Sequence, residues 1–304
     1  MPFTGNVRRA WSARTGKEVV KDVLIHLRLH FQLLLSPVFL WGWLVAGGGL
    51  TLNVALAFIA FHVFLYAGAT AFNSYYDRDE GPVGGLERPP PVTAALLPVS
   101  LAMKAIGLLV AALVNVSFAL IYALFAVLSL AYSHPLVRLK ARPWSSLLTV
   151  AFGQGVLAFL GAWAAARGSV TGAWSLDGVL GSLAAALMIL GLYPLTQLYQ
   201  VDEDLARGDR TVAVAWGANR CFALSLACLL TGGLAMLVVV GNRFGALDAV
   251  VVAAGLVAQM AAVAWWARHF QPAQIVGNYR HVMRLNSLSG ALLGGYLVVR
   301  LIAR

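Results

Sequence analysis

Long apolar runs alternate with short polar breaks from residue 31 to the C-terminus. Nine of these runs approach or exceed the roughly 20 residues that a helix needs to cross a bilayer. They cover residues 31–50, 53–76, 96–113, 115–133, 147–166, 176–199, 221–240, 246–267 and 285–302. Several are rich in Gly and Ala, and small residues let membrane helices approach closely. The stretch Gly153-Gln154-Gly155 falls inside the fifth run and is expected to serve such packing. The pattern predicts an all-α polytopic membrane protein with about nine transmembrane helices in one bundle. No linker or soluble segment divides the chain, so residues 1–304 are read as a single membrane domain, with residues 1–28 as a basic cytoplasmic lead-in.

Composition supports this reading. The chain is 60% hydrophobic and 11% charged, with a mean hydropathy of +0.79. Soluble domains carry about twice that charged fraction, and a water-facing surface is hard to build from so few charges. The first thirty residues hold six Lys or Arg and no continuous apolar stretch, unlike a secretory signal. Cys221 and Cys228 lie seven residues apart, match no metal-ligand spacing, and are read as small buried residues.

The net charge of +10 does not point to nucleic acid, because the basic residues sit in short alternate breaks. Arg78 and Arg88 follow the second run; Arg138, Lys140 and Arg142 follow the fourth. Arg207, Arg210 and Arg220 follow the sixth; Arg268, Arg280 and Arg284 follow the eighth. The intervening breaks carry only Arg167 and Arg243, while Arg300 and Arg304 close the chain. Positive charge collects on the cytoplasmic side of membrane proteins. The expected orientation therefore has a cytoplasmic N-terminus, and the expected location is the inner membrane of a prokaryotic cell.

Two acidic clusters break the apolar pattern on that same side. Asp77, Asp79 and Glu80 end the second run; Asp202, Glu203, Asp204 and Asp209 follow the sixth. Ionisable groups at the mouth of a membrane bundle are costly unless paired or hydrated, and they mark functional sites. Two facing sets of hard oxygen ligands suit Mg²⁺, which is usually held by one or two carboxylates together with substrate phosphates. Arg88, Arg138, Lys140 and Arg142 lie in loops on the same side and would complete a clamp for phosphate oxygens. From the residues alone, this is a membrane enzyme acting on a lipid diphosphate whose tail lies in the bundle.

At these residues the chain resembles the UbiA superfamily of intramembrane prenyltransferases. The first motif of that family is usually Asn-Asp-x-x-Asp-x-x-x-Asp. Here Asn73 and Asp77 match, while Ser74 and Gly81 stand at the two other Asp positions. The second motif, Asp-x-x-x-Asp-x-x-x-Gly, is met by Asp204 and Gly208, with Gln200 in place of the leading Asp and Thr211 downstream. The segments Leu86–Val92, with Arg88, and Tyr132–Trp144, with Tyr132, Ser133, Arg138 and Lys140, are similar to further family segments.

The resemblance implies a nine-helix bundle of two four-helix halves plus one, around a central cavity capped by the acidic loops. It implies Mg²⁺-dependent transfer of a prenyl group from an isoprenyl diphosphate to an aromatic or other small hydrophobic acceptor within the membrane lipid. Asp77, Asp204 and Asn73 would be catalytic. Asp77, Asp79, Glu80, Asp202 and Asp204 would supply metal ligands. Arg88, Arg138, Lys140, Gln200, Tyr132 and Tyr199 would bind substrate, and Tyr75, Tyr76 and Tyr193 are further aromatics that could face a developing cation. His134 is read as a surface histidine, with proton transfer as its alternative.

On a helix Asp202 does not share a face with Gln200, so Asp202 can take over the missing ligand only if the chain is irregular near Tyr199–Asp204. The altered motifs keep other readings open: a terpene cyclase or other lipid-diphosphate enzyme on the same scaffold, a non-catalytic accessory protein, or a transporter.

Overall fold

The computed structural model describes residues 15–303. Among them every regular element is helical. Nine stretches are long and apolar enough to span a membrane. Leucines and valines point outward along them, with Leu109, Leu113, Leu120, Val257 and Leu292 all more than 60% exposed. Water would not tolerate such a surface, whereas lipid does. The protein is an integral, multi-pass membrane protein.

The chain opens on α1 (Gly16–Leu27), fixed at its start by a Thr15–Glu18 capping box. α2 (Leu29–Gln32) and a single 3₁₀ turn lead into α3 (Ser36–Ala46). α4 (Leu52–Ile59) continues through a wide π turn, Ala60–Leu65, into α5 (Tyr66–Asp77). α6 (Leu96–Val114) and α7 (Val116–Ser133) form a hairpin whose turn is capped by Asn115. α8 (Pro143–Val150) passes through a second π turn, Ala151–Leu157, into α9 (Ala158–Arg167). α10 (Leu176–Leu192) ends in a 3₁₀ turn, Tyr193–Gln197, before the short α11 (Val201–Arg207). α12 (Val212–Phe244), α13 (Ala246–His269) and α14 (Ile275–Ile302) complete the chain.

The spans follow the hydropathy pattern, with corrections at their ends. The seventh begins at Val212 rather than 221 because its first turn is joined across a kink at Gly217, whose φ of 75° suits glycine alone. The ninth begins at Ile275 rather than 285, and carries polar residues in its first turns. Residues 1–14 of the lead-in, with Arg8, Arg9 and Arg14, lie outside the described residues; residues 16–27 form α1. α1 lies against α5, and Arg28 is only 3% exposed.

Successive spans pack as neighbours, and α14 closes the bundle by lying against both α13 and α3. The main core joins α3, α4, α7, α9 and α10 through Trp41, Leu44, Phe61, Phe118 and Phe159, all under 2% exposed. Close approach depends on glycine where side chains would collide. A Cβ at Gly42 would fall 2.3 Å from the Phe159 carbonyl, and one at Gly155 would fall 2.4 Å from the Ala186 Cα. This accounts for the glycines of the Gly153-Gln154-Gly155 stretch.

We expect Gly42→Ala and Gly155→Ala each to lower the melting temperature in detergent, because backbone cannot yield as a side chain tip can; overpacking of this kind costs about 1–3 kcal/mol. Gly295→Ala, where nothing lies within 4 Å, serves as the control and is expected to melt with the parent protein.

Candidate active site

The ends of α5, α7 and α10 converge at one end of the bundle. Asn73 and Asp77 lie four residues apart on the last turns of α5 and share a face. Both reach the loop after α7. Asn73 Oδ1 accepts hydrogen bonds from Ser133 Oγ at 2.7 Å and Lys140 Nζ at 3.0 Å. Asp77 is gripped by Lys140 on one oxygen and by Arg138 on the other, at 3.2 Å. Arg138 also makes a two-pronged pair with Asp209, both contacts at 2.7 Å.

Besides the Arg138 bridge, the second acidic segment meets the first through Arg207 and Glu203. Arg207, at the end of α11, donates to Asp79 Oδ1 and to Asp204 Oδ1, both at 2.7 Å. Thr211 Oγ1 holds the other Asp204 oxygen at 3.0 Å. Glu203 accepts the Gly81 backbone N–H at 2.6 Å. A Cβ at Gly81 would stand 2.7 Å from that same carboxylate oxygen. Glycine at this expected aspartate position therefore lets one acidic segment dock on the backbone of the other.

The charges at this site depend on one another. Burial pushes the Asp204 carboxyl above its ordinary range, and Arg207 and Thr211 bring it only part of the way back. Burial also raises Asp209, but the Arg138 pair outweighs it and holds that carboxyl below the usual range. Burial works against the Arg207 charge, while Asp79 and Asp204 more than offset it and hold the guanidinium firmly protonated.

A cavity of about 720 Å³ opens beneath this layer. Arg28, Asn73, Tyr132, Tyr193, Tyr199 and Gln200 form part of its wall nearest the charges. Tyr132 and Tyr193 share a hydroxyl–hydroxyl hydrogen bond of 2.8 Å. Arg28 donates to Ser74 Oγ at 2.6 Å and to the Gly84 carbonyl at 2.9 Å, and its Nε has no partner. Ser74 stands where the family motif carries an aspartate, and among the described residues this buried guanidinium has no carboxylate in contact. Arg28 and Arg138 both adopt left-handed backbone, φ 50° and 45°, a strained choice for non-glycine residues that often accompanies function.

Not every expected residue arrives here. Glu80, Arg88 and Asp202 are exposed and join none of these pairs. The chain is irregular before Asp202, as the sequence required: a 3₁₀ turn ends at Gln197 and Gln200 sits outside the helix, yet Asp202 still faces outward. His134 is half-buried, with its ring against Tyr76 at 5.4 Å. Arg207 was legible only as a loop charge, Arg28 only as a basic residue of the lead-in, and Asp209 only as a member of the second acidic cluster. The one local signal for Arg207 was its place three residues after Asp204 on a short helix.

Hard carboxylate oxygens suit Mg²⁺, but here Asp77, Asp79, Asp204 and Asp209 are already engaged by Arg or Lys. Among the described residues no three His, Cys, Asp or Glu side chains are grouped to hold a metal ion. This donor set does not fit a ready-made ion site.

Comparison with known proteins agrees with the fold. The profile of the UbiA prenyltransferase family matches residues 34–288, and the chain belongs to that family. It is 26% identical over 196 residues to digeranylgeranylglyceryl phosphate synthase of Methanothrix thermoacetophila, a match that covers 63% of this chain and 70% of the relative. It is 32% identical over 149 residues to protoheme IX farnesyltransferase of Aeropyrum pernix, covering 46% and 48%. Among solved structures, a UbiA homologue from Aeropyrum pernix K1 superposes with a TM-score of 0.66 at 21% identity, over 89% of this chain and 97% of that one. A homologue from Archaeoglobus fulgidus bound to GPP and Mg²⁺ gives 0.62 at 19% identity, over 91% and 99%.

Removing Arg207 would leave Asp79 and Asp204 facing each other without a cation. We expect Arg207→Met to lose about 2–3 kcal/mol of stability, since breaking a largely buried pair strands the remaining charge. Arg207→Lys is expected to recover less than half, because an ammonium cannot fork between two carboxylates as a guanidinium does. Thermal unfolding in detergent at fixed pH reads both.

Proposed function

We propose that this prenyltransferase moves a prenyl group from an isoprenyl diphosphate to a small acceptor held in the same cavity. The observation that carries the reading is the layer of Arg28, Arg138, Lys140 and Arg207 over an apolar, tyrosine-walled cavity. The relatives support it: their names specify prenyl transfer, and one solved homologue holds GPP with Mg²⁺.

In this reading the cations receive the diphosphate and the carboxylates hold the cations in place. Guanidinium groups can engage phosphate oxygens in pairs, and Lys140 adds a point charge. As the allylic C–O bond breaks, its electron pair leaves with the diphosphate, where developing negative charge meets fixed positive charge; such preorganised stabilisation is commonly a large contribution to catalysis. The carbon left behind gains cation character near Tyr132, Tyr193 and Tyr199, whose ring faces can stabilise it. The acceptor then forms the new bond to that carbon and loses a proton. Much of the barrier is lowered by holding both partners together.

The Mg²⁺ dependence expected from the sequence rests on the relatives, and no step is assigned to the ion because the carboxylates are committed to cations. The diphosphate would enter from the cytoplasmic face of a prokaryotic inner membrane, the side to which the basic loops assign the site. Tail and acceptor would lie within the bilayer.

Two tests follow from this reading. Asp77→Asn and Asp204→Asn each nearly preserve shape while releasing a cation, so release of inorganic diphosphate from geranyl diphosphate in native membranes should fall at least about a hundredfold. Near-parental rates in both folded variants would refute the mechanism. Separately, geranyl diphosphate should bind in EDTA within about tenfold of its affinity in Mg²⁺, or about 1.4 kcal/mol. Arg207→Gln should abolish the EDTA binding. A strict requirement for the ion would mean that the carboxylates release their cations to it.

A further inference from the structure

The deep part of the cavity holds three amides that the diphosphate chemistry does not use. Gln154 lies in the π turn between α8 and α9, Gln259 on α13 and Asn286 on α14; all three line the same cavity. They come from three spans that meet the charged layer at one end: α8 starts there at Pro143, α13 ends there at His269, and α14 starts there at Ile275. Each amide is ten or eleven residues from that end, which places all three about 15 Å into the bundle at 1.5 Å per residue. They form a belt at one depth.

None of the three side chains makes a hydrogen bond among the described residues, and the Gln259 Nε2 is fully buried without a partner. An amide left unsatisfied in an apolar medium costs several kcal/mol, and polar side chains within membrane spans mark functional positions. A hydrocarbon prenyl tail offers these amides nothing. Gln154 also lies within a π turn, Ala151–Leu157, and π turns gather at functional sites.

We propose that the amide belt binds the acceptor, and that the acceptor is an aromatic or polyene molecule carrying a carbonyl or hydroxyl oxygen at its membrane-buried end. Gln154 and Asn286 donate to that oxygen, and the Gln259 carboxamide, which also lines the cavity, supplies a further donor or acceptor. The ligand's other end lies beneath the charged layer, where the prenyl group is delivered. This deepens the prenyl-transfer reading by naming its acceptor class, but it is a statement about binding and is tested without turnover.

The test uses full-length protein in lipid nanodiscs with two probes of equal ring size, 1,4-naphthoquinone and naphthalene, each corrected for partition into empty nanodiscs. Wild-type protein should bind the quinone at least about fivefold more tightly than the hydrocarbon, the scale of one or two hydrogen bonds. Gln259→Leu or Gln154→Leu should bring that ratio to within about twofold by weakening quinone binding alone. Equal affinities in the wild type would show that the amides are merely hydrated, and would overturn the proposal even if a variant fails to fold. A preference that survives in both variants would place oxygen recognition elsewhere and overturn it as well. Loss of prenyl transfer in Asp77→Asn with the quinone preference intact would separate this site from the diphosphate site.

Discussion

Charge cannot be left unpaired where apolar helices end, and the organisation of this bundle follows from that constraint. Asp77, Asp79, Asp204 and Asp209 are brought to one end of the spans, and Lys140, Arg138 and Arg207 meet them. The pairs are also the ties between segments far apart in sequence: Arg138 joins the loop after α7 to both acidic segments, and Arg207 joins those segments to each other. Desolvation would make either set of charges costly alone, whereas together they form a lid over an apolar cavity. The strained backbone at Arg138 and Arg28 is kept because the side chains it aims are fixed in this lid and its lower face.

Much of the architecture was legible in the sequence because the bilayer imposes it. A span needs a long apolar run, and all nine runs became spans. What hydropathy missed lies where local geometry overrides average polarity. Gly217 bends the seventh span so that its first turn lies beyond a polar stretch, and α14 begins among polar residues that face the site end. The two π turns leave no trace in an apolar run. α1 read as a basic lead-in because its charges are frequent; where it docks, on α5, is a tertiary contact that the local sequence does not disclose.

The site was legible as a place more than as a mechanism. Asn73, Asp77 and Asp204 were marked by motif position, and Arg138 and Lys140 by their loop; all five converge. Exposed Glu80, Arg88 and Asp202 share the same composition and differ only in which way the chain turns, which spacing alone does not disclose. Two of the three altered aspartate positions have contacts of their own: Ser74 accepts from Arg28, and Gly81 makes room for Glu203. Cations of the chain itself occupy the space between the acidic segments. Beneath them, Tyr132 and Tyr193 line the cavity, as do Gln154, Gln259 and Asn286.

The central claim is that the paired-charge layer is where the diphosphate binds. Lys140→Met tests it most directly, because this change removes one cation while leaving the apolar stem, the cavity and Arg138 in place. Calorimetric titration of inorganic diphosphate into the folded variant should show affinity reduced by at least about thirtyfold, roughly 2 kcal/mol for a lost charge-assisted contact. Affinity within threefold of the parent protein would contradict the account and move the anion site away from these residues.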